Sequence, residues 1–542
     1  MAFLKNLFSG NKSNELLDEA KKFVDSKEYQ SAIATLDSVL LTEKENLAAY
    51  YYRGFAYFCL NKWNEAIVDF SRVVGTKESF AQQARYYRAS SYFELQNYPG
   101  AHQDLYDLLR IDGSNQKALL LMCETQQKAG DTISALEYTG KYIAQFPNEA
   151  KGYILKGNLL LLSDDKKTAL PEFSRALEIH PNHYEALIGR GRAEMEIGKL
   201  DLANEDFIKA TEINPHAFEA YHLSATILYK KKLYEEALKQ VLTCLEVRKD
   251  YFETKLLQAN IYIAMQKPKD ALGVLEKLII QDSKNAELYL LQGKSYRMLN
   301  AVSDAKHSFD TALKISQHSP DIYKSLAVTE AQFGNYNGAI EYLTKSIELN
   351  PNDDDAFFKR GKLYQRMNEK FKAIQDFVKA SQIDPSNANY YYYSGMAREK
   401  VDDNSGAIAD YSKAQLKSDF YEPVIARAKL RMKITEYNAA VIDFDKASQM
   451  KPEHPLPYYF KAICYRYMQK LDKALGEINK AIQLDPEYAD AYYIRALVSK
   501  EQHLLRQALD DVKTAVRLGT KNFAGPAQAL NEELSKKFNT KF

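Results

Sequence analysis

Nine histidines and four cysteines are the side chains in this 542-residue chain that could ligate a metal or act as nucleophiles, so their spacing is the first test for chemistry. His180 and His183 stand together in His-Pro-Asn-His, where proline and asparagine mark a turn. A zinc site there needs two more ligands converging from elsewhere, and solvated turn histidines are the expectation. Cys59, Cys123, Cys244 and Cys464 are far apart, with no Cys-x-x-Cys pair and no dense disulfide framework, which fits a reducing, cytoplasmic setting. No Gly-x-Gly-x-x-Gly, Gly-x-x-x-x-Gly-Lys-Ser/Thr, His-Glu-x-x-His or Gly-x-Ser-x-Gly occurs. No catalytic residue, metal or cofactor is therefore assigned, and the chemistry to expect is recognition rather than catalysis.

Composition narrows what is recognised. Lys plus Arg number 73 against 72 Asp plus Glu, a net charge of +1, so no global field gathers nucleic acid or an anionic membrane. Apolar residues make up 46% and aromatic residues 12%, among them 39 tyrosines and one tryptophan, Trp63. The longest apolar runs, such as Ala118–Cys123 and Leu159–Leu162, fall short of a membrane span. The N-terminal run is broken by Lys5 and Asn6 and is too short for a signal-peptide core. Low glycine and proline (22 and 15) and the lack of sustained alternation argue against a large β architecture. At this length one hydrophobic core is excluded, leaving several domains or an array.

Internal self-similarity decides between them. AIVDF at Ala66–Phe70, ALPEF at Ala169–Phe173, ANEDF at Ala203–Phe207, AIQDF at Ala373–Phe377 and AVIDF at Ala440–Phe444 recur at intervals of 34 or its multiples, within one residue. The register gives fifteen repeats starting at Ser13, Leu47, Gln82, Gln116, Ala150, Tyr184, Phe218, Phe252, Ala286, Pro320, Asp354, Ala388, Tyr421, Pro455 and Ala489, covering 13–522. Position 20 is alanine in every repeat and position 8 is always Gly, Ala or Cys. Apolar spacing at 4, 7 or 8 and 11, and again at 20, 24 and 27, predicts two amphipathic helices per repeat. Small residues at 8 and 20 let their backbones cross closely. Gly130, Gly198 and Gly334, or Asn61, Asn300 and Asn368, at position 15 suit a left-handed stop to the first helix. Proline at position 32, as in Pro147 and Pro351, ends the second.

These repeats resemble the tetratricopeptide repeat, with its aromatic at position 4, small residue at 8, Ala at 20, aromatic at 24 and Pro at 32; the resemblance covers about nineteen twentieths of the chain. Tyrosine replaces the family's tryptophan at position 4, as in Tyr50, Tyr153 and Tyr289. Repeat 1, with Leu36 and Val39 at 24 and 27, and repeat 4, with Gln126 and Thr139 at 11 and 24, depart furthest. The implied fold is an all-α, right-handed solenoid of antiparallel helix pairs. The flanks are read as an N-terminal cap or flexible segment at 1–12, with Phe3, Leu4, Leu7 and Phe8 as cap or docking residues, and a capping helix at 523–542 carrying Leu530, Leu534 and Phe538.

The resemblance further implies that the first helices line an inner surface through positions 2, 5, 6, 9, 12 and 13, where other proteins bind. Those positions bring aromatics together at Tyr51, Tyr52, Phe55, Phe58, Tyr86 and Tyr87, and at Tyr392, Tyr393, Tyr459, Phe460 and Tyr493. Such rings serve either partner contact or packing between repeats. Cations gather at Lys294, Arg297, Lys324, Lys359, Lys362 and Arg366, continuing to Lys400, Lys429 and Lys433, while position 2 is acidic at Asp321, Asp355 and Asp490 among others. A basic floor with an acidic rim fits an acidic partner segment. The family's clamp for heat-shock chaperone tails is missing: Ile154 and Leu256 stand where its lysine belongs, and Gly189 and Leu291 where its second asparagine does. The expectation is a protein-binding scaffold or adaptor in a larger assembly. Self-association, possession of an enzyme-regulatory role and RNA binding are the competing readings, the last opposed by the 34-residue period and the charge balance.

Overall fold

A computed structural model describes residues 2–163 and 166–539. Phe3, Leu4, Leu7, Phe8 and Phe538 lie outside the residues whose side chains are described. Two compact units make up the chain, Met1–Met265 and Gln266–Phe542. Among the described residues every element is an α-helix apart from one short 3-10 turn at Lys166–Thr168. The fold is all-α, a tandem series of antiparallel helix pairs. Helices begin on thirteen of the fifteen start residues of the 34-residue register, and in repeat 3 one residue early, at Ala81. The backbone of residues 2–12 runs without a break into the first helix of repeat 1, Ala2–Asp25.

The turn inside each pair has one mechanism. Position 15 is left-handed in every described case, from Asn61 (φ 59°) to Gly130 (φ 83°), Asn368 (φ 63°) and even the β-branched Thr435 (φ 67°). That single reversal lets the next amide reach back to the helix end, as Lys62 N–H does to the Tyr57 carbonyl at 2.9 Å. Side-chain oxygens of Asn46, Asn115 and Asp353 then cap first helices, and Asn97, Asp131 and Asn335 cap second helices. The divergent repeats 1 and 4 fold as the others do. Leu36 and Val39 are fully buried, Thr139 returns its hydroxyl to the Ala135 carbonyl at 2.7 Å, and Gln126 bonds His102 Nδ1 at 3.1 Å.

All fifteen position-20 alanines are completely buried. Position 8 has a subtler rule. Gly54, Gly157, Gly191, Gly293, Gly361 and Gly395 each face an aromatic at position 24, and an added Cβ would stand 2.5–3.0 Å from the ring. Where position 8 is Ala or Cys, position 24 shrinks, as in Ala225/Val241, Ala327/Leu343 and Cys123/Thr139. Ala428/Phe444 is the exception, and there the Phe444 ring lies flat on Phe460, with centroids 5.5 Å apart. Volume is thus conserved across the pair. Gly293→Ala, whose Cβ would come 2.5 Å from Phe309, is expected to cost about 1–3 kcal/mol by overpacking. Adding Phe309→Leu should recover more than half of that loss in a double-mutant cycle of urea unfolding; additive losses would refute the pairing.

A second set of contacts ties the helices together. Arginine at position 7 of the first helix grips aspartate at position 23 of the second through two hydrogen bonds in Arg53–Asp69, Arg88–Asp104, Arg190–Asp206, Arg360–Asp376, Arg427–Asp443 and Arg495–Asp511, at 2.6–2.9 Å. In five of these the guanidinium also reaches position 25 of the preceding repeat: Asp37, Ser71, Thr344, Ser412 and Asn479. The planar fork of arginine suits this three-way stitch. Lys461 reproduces it with Glu477 at 2.7 Å and Asp445 at 2.6 Å. Burial and the Asp69 carboxylate act oppositely on Arg53, and the hydrogen bonds win, raising its guanidinium above its usual range.

Candidate functional site

In the first unit, the aromatics of repeats 2 and 3 form one continuous cluster on the helices Leu47–Cys59 and Ala81–Glu94. Tyr87 is its hub, with Phe55 at 5.0 Å, Phe58 at 5.1 Å and the core ring Phe70 at 5.9 Å. Tyr51 packs on Phe80 at 4.9 Å and donates its hydroxyl to Gln83 at 3.0 Å; burial pushes its phenol up to about 12. Tyr52 and Tyr86 sit at the margin, edge-on to Tyr51 and Tyr87 respectively. All six tyrosine and phenylalanine residues singled out in repeats 2 and 3 are half-buried. They therefore join adjacent repeats and still leave part of each ring open.

The second unit treats its aromatics differently. Tyr392 and Tyr393 meet at 5.6 Å and are half-buried, and Phe460 is half-buried beneath the Lys429 ammonium at 4.8 Å. Tyr459 and Tyr493 correct the sequence reading: at 3% and 7% exposure they are core residues, packed on Tyr488 and Phe523 at 4.9 Å each. Position 5 turns into the following element, so these two rings hold helices together and offer a partner little surface. Phe523 precedes the helix Ala524–Asn539, which buries Ala527, Leu530 and Leu534 in the same cluster. Asp490, expected on an acidic rim, is also buried and accepts from the Lys521 and Asn522 amides.

The cations divide into two classes. Lys324 is neutralised by Asp321 at 3.0 Å and Asp353 at 2.8 Å, and Lys359 pairs with Asp355. Floor and rim cancel at these two positions. Lys294, Arg297, Lys362 and Arg366 make no ion pair among the described residues. Burial lowers the proton affinity of Lys294 and Arg297, and the Arg297 Nε is buried without a hydrogen-bond partner. Lys362 lies over the Phe358 and Tyr393 rings at 5.5 and 5.4 Å, and Arg366 over Tyr336 at 5.9 Å.

Two cavities open on the first-helix faces, one in each unit, and neither was marked by the sequence reading. In the first unit a cavity of about 420 Å3 lies among Ile154, Asn158, Ile188, Gly189 and Arg192. Its signal in the sequence was Gly189, a bare backbone at position 6 where Leu155, Leu223 and Leu257 stand elsewhere. In the second unit a slot of about 180 Å3 has Ala327, Val328, Ala331, Leu343 and Leu363 as its apolar lining and Lys359, Lys362 and Arg366 at its edge.

Buried thiols offer no nucleophile here, since burial pushes Cys123 up to about 11 and Cys464 up to about 12. Among the described residues no three His, Cys, Asp or Glu side chains gather to hold a metal, and no helix is long and apolar enough to cross a membrane.

Known proteins agree with the geometry. Tetratricopeptide-repeat family models match residues 188–243, 256–320 and 354–387, and a further TPR repeat model matches 329–368. The DnaJ protein P58IPK homolog of Arabidopsis thaliana is 22% identical over 361 residues, 64% of this chain and 64% of the relative. Anaphase-promoting complex subunit 7 of the same plant is 22% identical over 317 residues, 58% of this chain and 56% of that one. The chain thus spans less than two thirds of the length of these relatives. Among solved structures, the APC/C hetero-tetramer Cut9–Hcn1 aligns with 91% of this chain and 97% of its own at 13% identity, with a TM-score of 0.36. With its helix pairs, its invariant position-20 alanines and the repeat models that match it, the chain is a tetratricopeptide-repeat protein.

Proposed function

We propose that this protein is a scaffold or adaptor that holds a segment of a partner protein along the faces of its first helices, as part of a larger assembly in the cytoplasm. The observation that carries this reading is the half-buried aromatic cluster of repeats 2 and 3. Its rings are fixed by their neighbours, so a partner gains tyrosine contact area at little cost in side-chain entropy. Family membership fits the reading, but fold alone leaves function open, so the site must supply it. A relative that is by name a subunit of the anaphase-promoting complex supports a place in a multiprotein assembly.

The test is site-specific photo-crosslinking in native cells, with a benzophenone amino acid at Tyr52 or, as control, at Val68 on a second helix, where the side chain is 62% exposed. A discrete partner is expected from Tyr52 and none from Val68. Capture only from Val68, or from neither, sinks the first-helix reading. Self-association would use the same rings; light scattering then gives twice 62.0 kDa, whereas an adaptor gives the single mass.

A further inference from the structure

We propose that the first helices of repeats 9, 10 and 11 form a binding site for a short acidic segment of a partner protein. One apolar side chain enters the slot between repeats 10 and 11, and flanking carboxylates meet Lys362 and Arg366 to one side and Lys294 and Arg297 to the other. This deepens the scaffold reading and rests on it, by naming the chemistry of the segment.

Charge accounting within the site carries the argument. The helices concerned are Ala286–Met298, Pro320–Gln332 and Asp354–Arg366, all in the second unit. The acids around the slot are already engaged: Asp321 and Asp353 with Lys324, Asp355 with Lys359, and Glu330 with Lys306 and Asn335. Four cations make no ion pair among the described residues; the Asp321 and Glu287 carboxylates act on Lys294 from a distance without offsetting its burial. Two are partly desolvated, and a guanidinium nitrogen of Arg297 is buried with nothing to donate to. An incoming carboxylate would satisfy donors whose desolvation the fold has already imposed.

The slot sets the other half of the recognition. Its lining is aliphatic and small because positions 8 and 12 of repeat 10 are Ala327 and Ala331. At about 180 Å3 it is comparable to the ~150 Å3 apolar cavity that admits benzene, so one side chain of leucine or phenylalanine size fits. A nucleic-acid backbone would match the cations and leave this apolar lining unused. A continuous polyanion would also run over the cancelled pairs Lys324–Asp321 and Lys359–Asp355, where it gains nothing, whereas a peptide places its charges singly.

The probe is a fluorescein-labelled nine-residue peptide, a central leucine flanked by four acidic residues on each side, titrated with the full chain by fluorescence anisotropy at 50 and 300 mM NaCl. Saturable binding that weakens with salt is expected. Replacing the leucine by serine, or the chain's Lys362→Glu with Arg366→Glu, should weaken binding at least tenfold. Ala331→Phe should do the same by filling the slot, and Lys372→Glu on a second helix should leave binding unchanged. Should Ala331→Phe fail to fold by circular dichroism, the exposed pair Lys362 and Arg366 still decides the matter. The proposal is overturned if a peptide with lysines in place of the acids binds equally well, if the double charge reversal binds as wild type, or if oligouridylate binds more tightly than the peptide. A partner captured through Tyr52 while the acidic peptide shows no binding overturns this chemistry and leaves the scaffold reading standing.

Discussion

Asp443→Ala is expected to destabilise repeats 12 to 14 by about 3–5 kcal/mol, the scale for removing one partner from a buried ion pair. The Asp443 side chain is 3% exposed and accepts both arms of Arg427, at 2.9 and 2.6 Å, together with Arg431 at 2.9 Å. Alanine leaves two guanidiniums facing a void, one of them on a side chain only 11% exposed. Ser412 and Gln415 still hold Arg427 from the preceding repeat, at 2.6 Å each, so the charge cannot swing out to water. Asp206→Ala should cost less, because its single arginine is 31% exposed and can rehydrate. The joint change Arg427→Met with Asp443→Leu should recover most of the loss, since a buried pair is worth little over an apolar one. Urea unfolding measures the total, and hydrogen exchange of the helices Tyr421–Lys433 and Tyr437–Met450 shows where it falls. A loss under 1 kcal/mol for Asp443→Ala would mean that the stitch contributes nothing and that alanine burial alone holds the repeats.

That stitch was half visible in the sequence. The aspartate of AIVDF, AIQDF and AVIDF was in view as part of the motif, but its arginine sixteen residues earlier belongs to the opposite helix. Periodicity within a helix cannot reveal which positions of two helices face each other, and no period relates position 7 to position 25 of the previous repeat. The left-handed stop at position 15 and the buried alanine at 20 were legible because a local constraint fixes each: one backbone conformation, or one volume at a helix crossing. Repeat position located the aromatic faces but not which of their rings stay open. Tyr51 and Tyr459 occupy the same position 5, yet one keeps an open margin and the other is sealed by Tyr488. Likewise nine lysines and arginines on one face read as a basic floor until Asp321, Asp353, Asp355 and Asp402 are seen to pair with three of them, Lys324, Lys359 and Lys433. The unpaired remainder is a property of three-dimensional neighbours, and it is what gives the candidate site its charge.

Phe173→Ala is the second large loss to expect, and its size follows from what surrounds the ring. Phe173 is fully buried with Gly157 of its own repeat and Gly189 of the next against it; an added Cβ at these glycines would stand 2.7 and 2.1 Å from the ring. Removing a buried phenylalanine costs about 3–5 kcal/mol, and the spread reflects how far the site can collapse. Here two of the walls are bare helix backbone, which cannot move inward without shifting whole helices. The loss should therefore lie at the upper end. Phe444→Ala should lie lower, because its neighbours Ala428 and Phe460 are side chains that can relax into the space. The same geometry predicts a rescue. Gly189→Leu alone should be severely destabilising, but in the Phe173→Ala chain its side chain has the vacated ring volume to occupy and should restore part of the stability. Gly189 also lines the 420 Å3 cavity that Phe173 itself does not reach, so the ring backs the cavity floor and its removal should deepen it. Urea midpoints of the four chains, with hydrogen exchange of Ala150–Leu161 and Tyr184–Glu196, test both statements. Were Gly189→Leu to add to the damage of Phe173→Ala instead of relieving it, the ring would not be what holds that position empty, and a different constraint on the backbone at Gly189 would have to be sought.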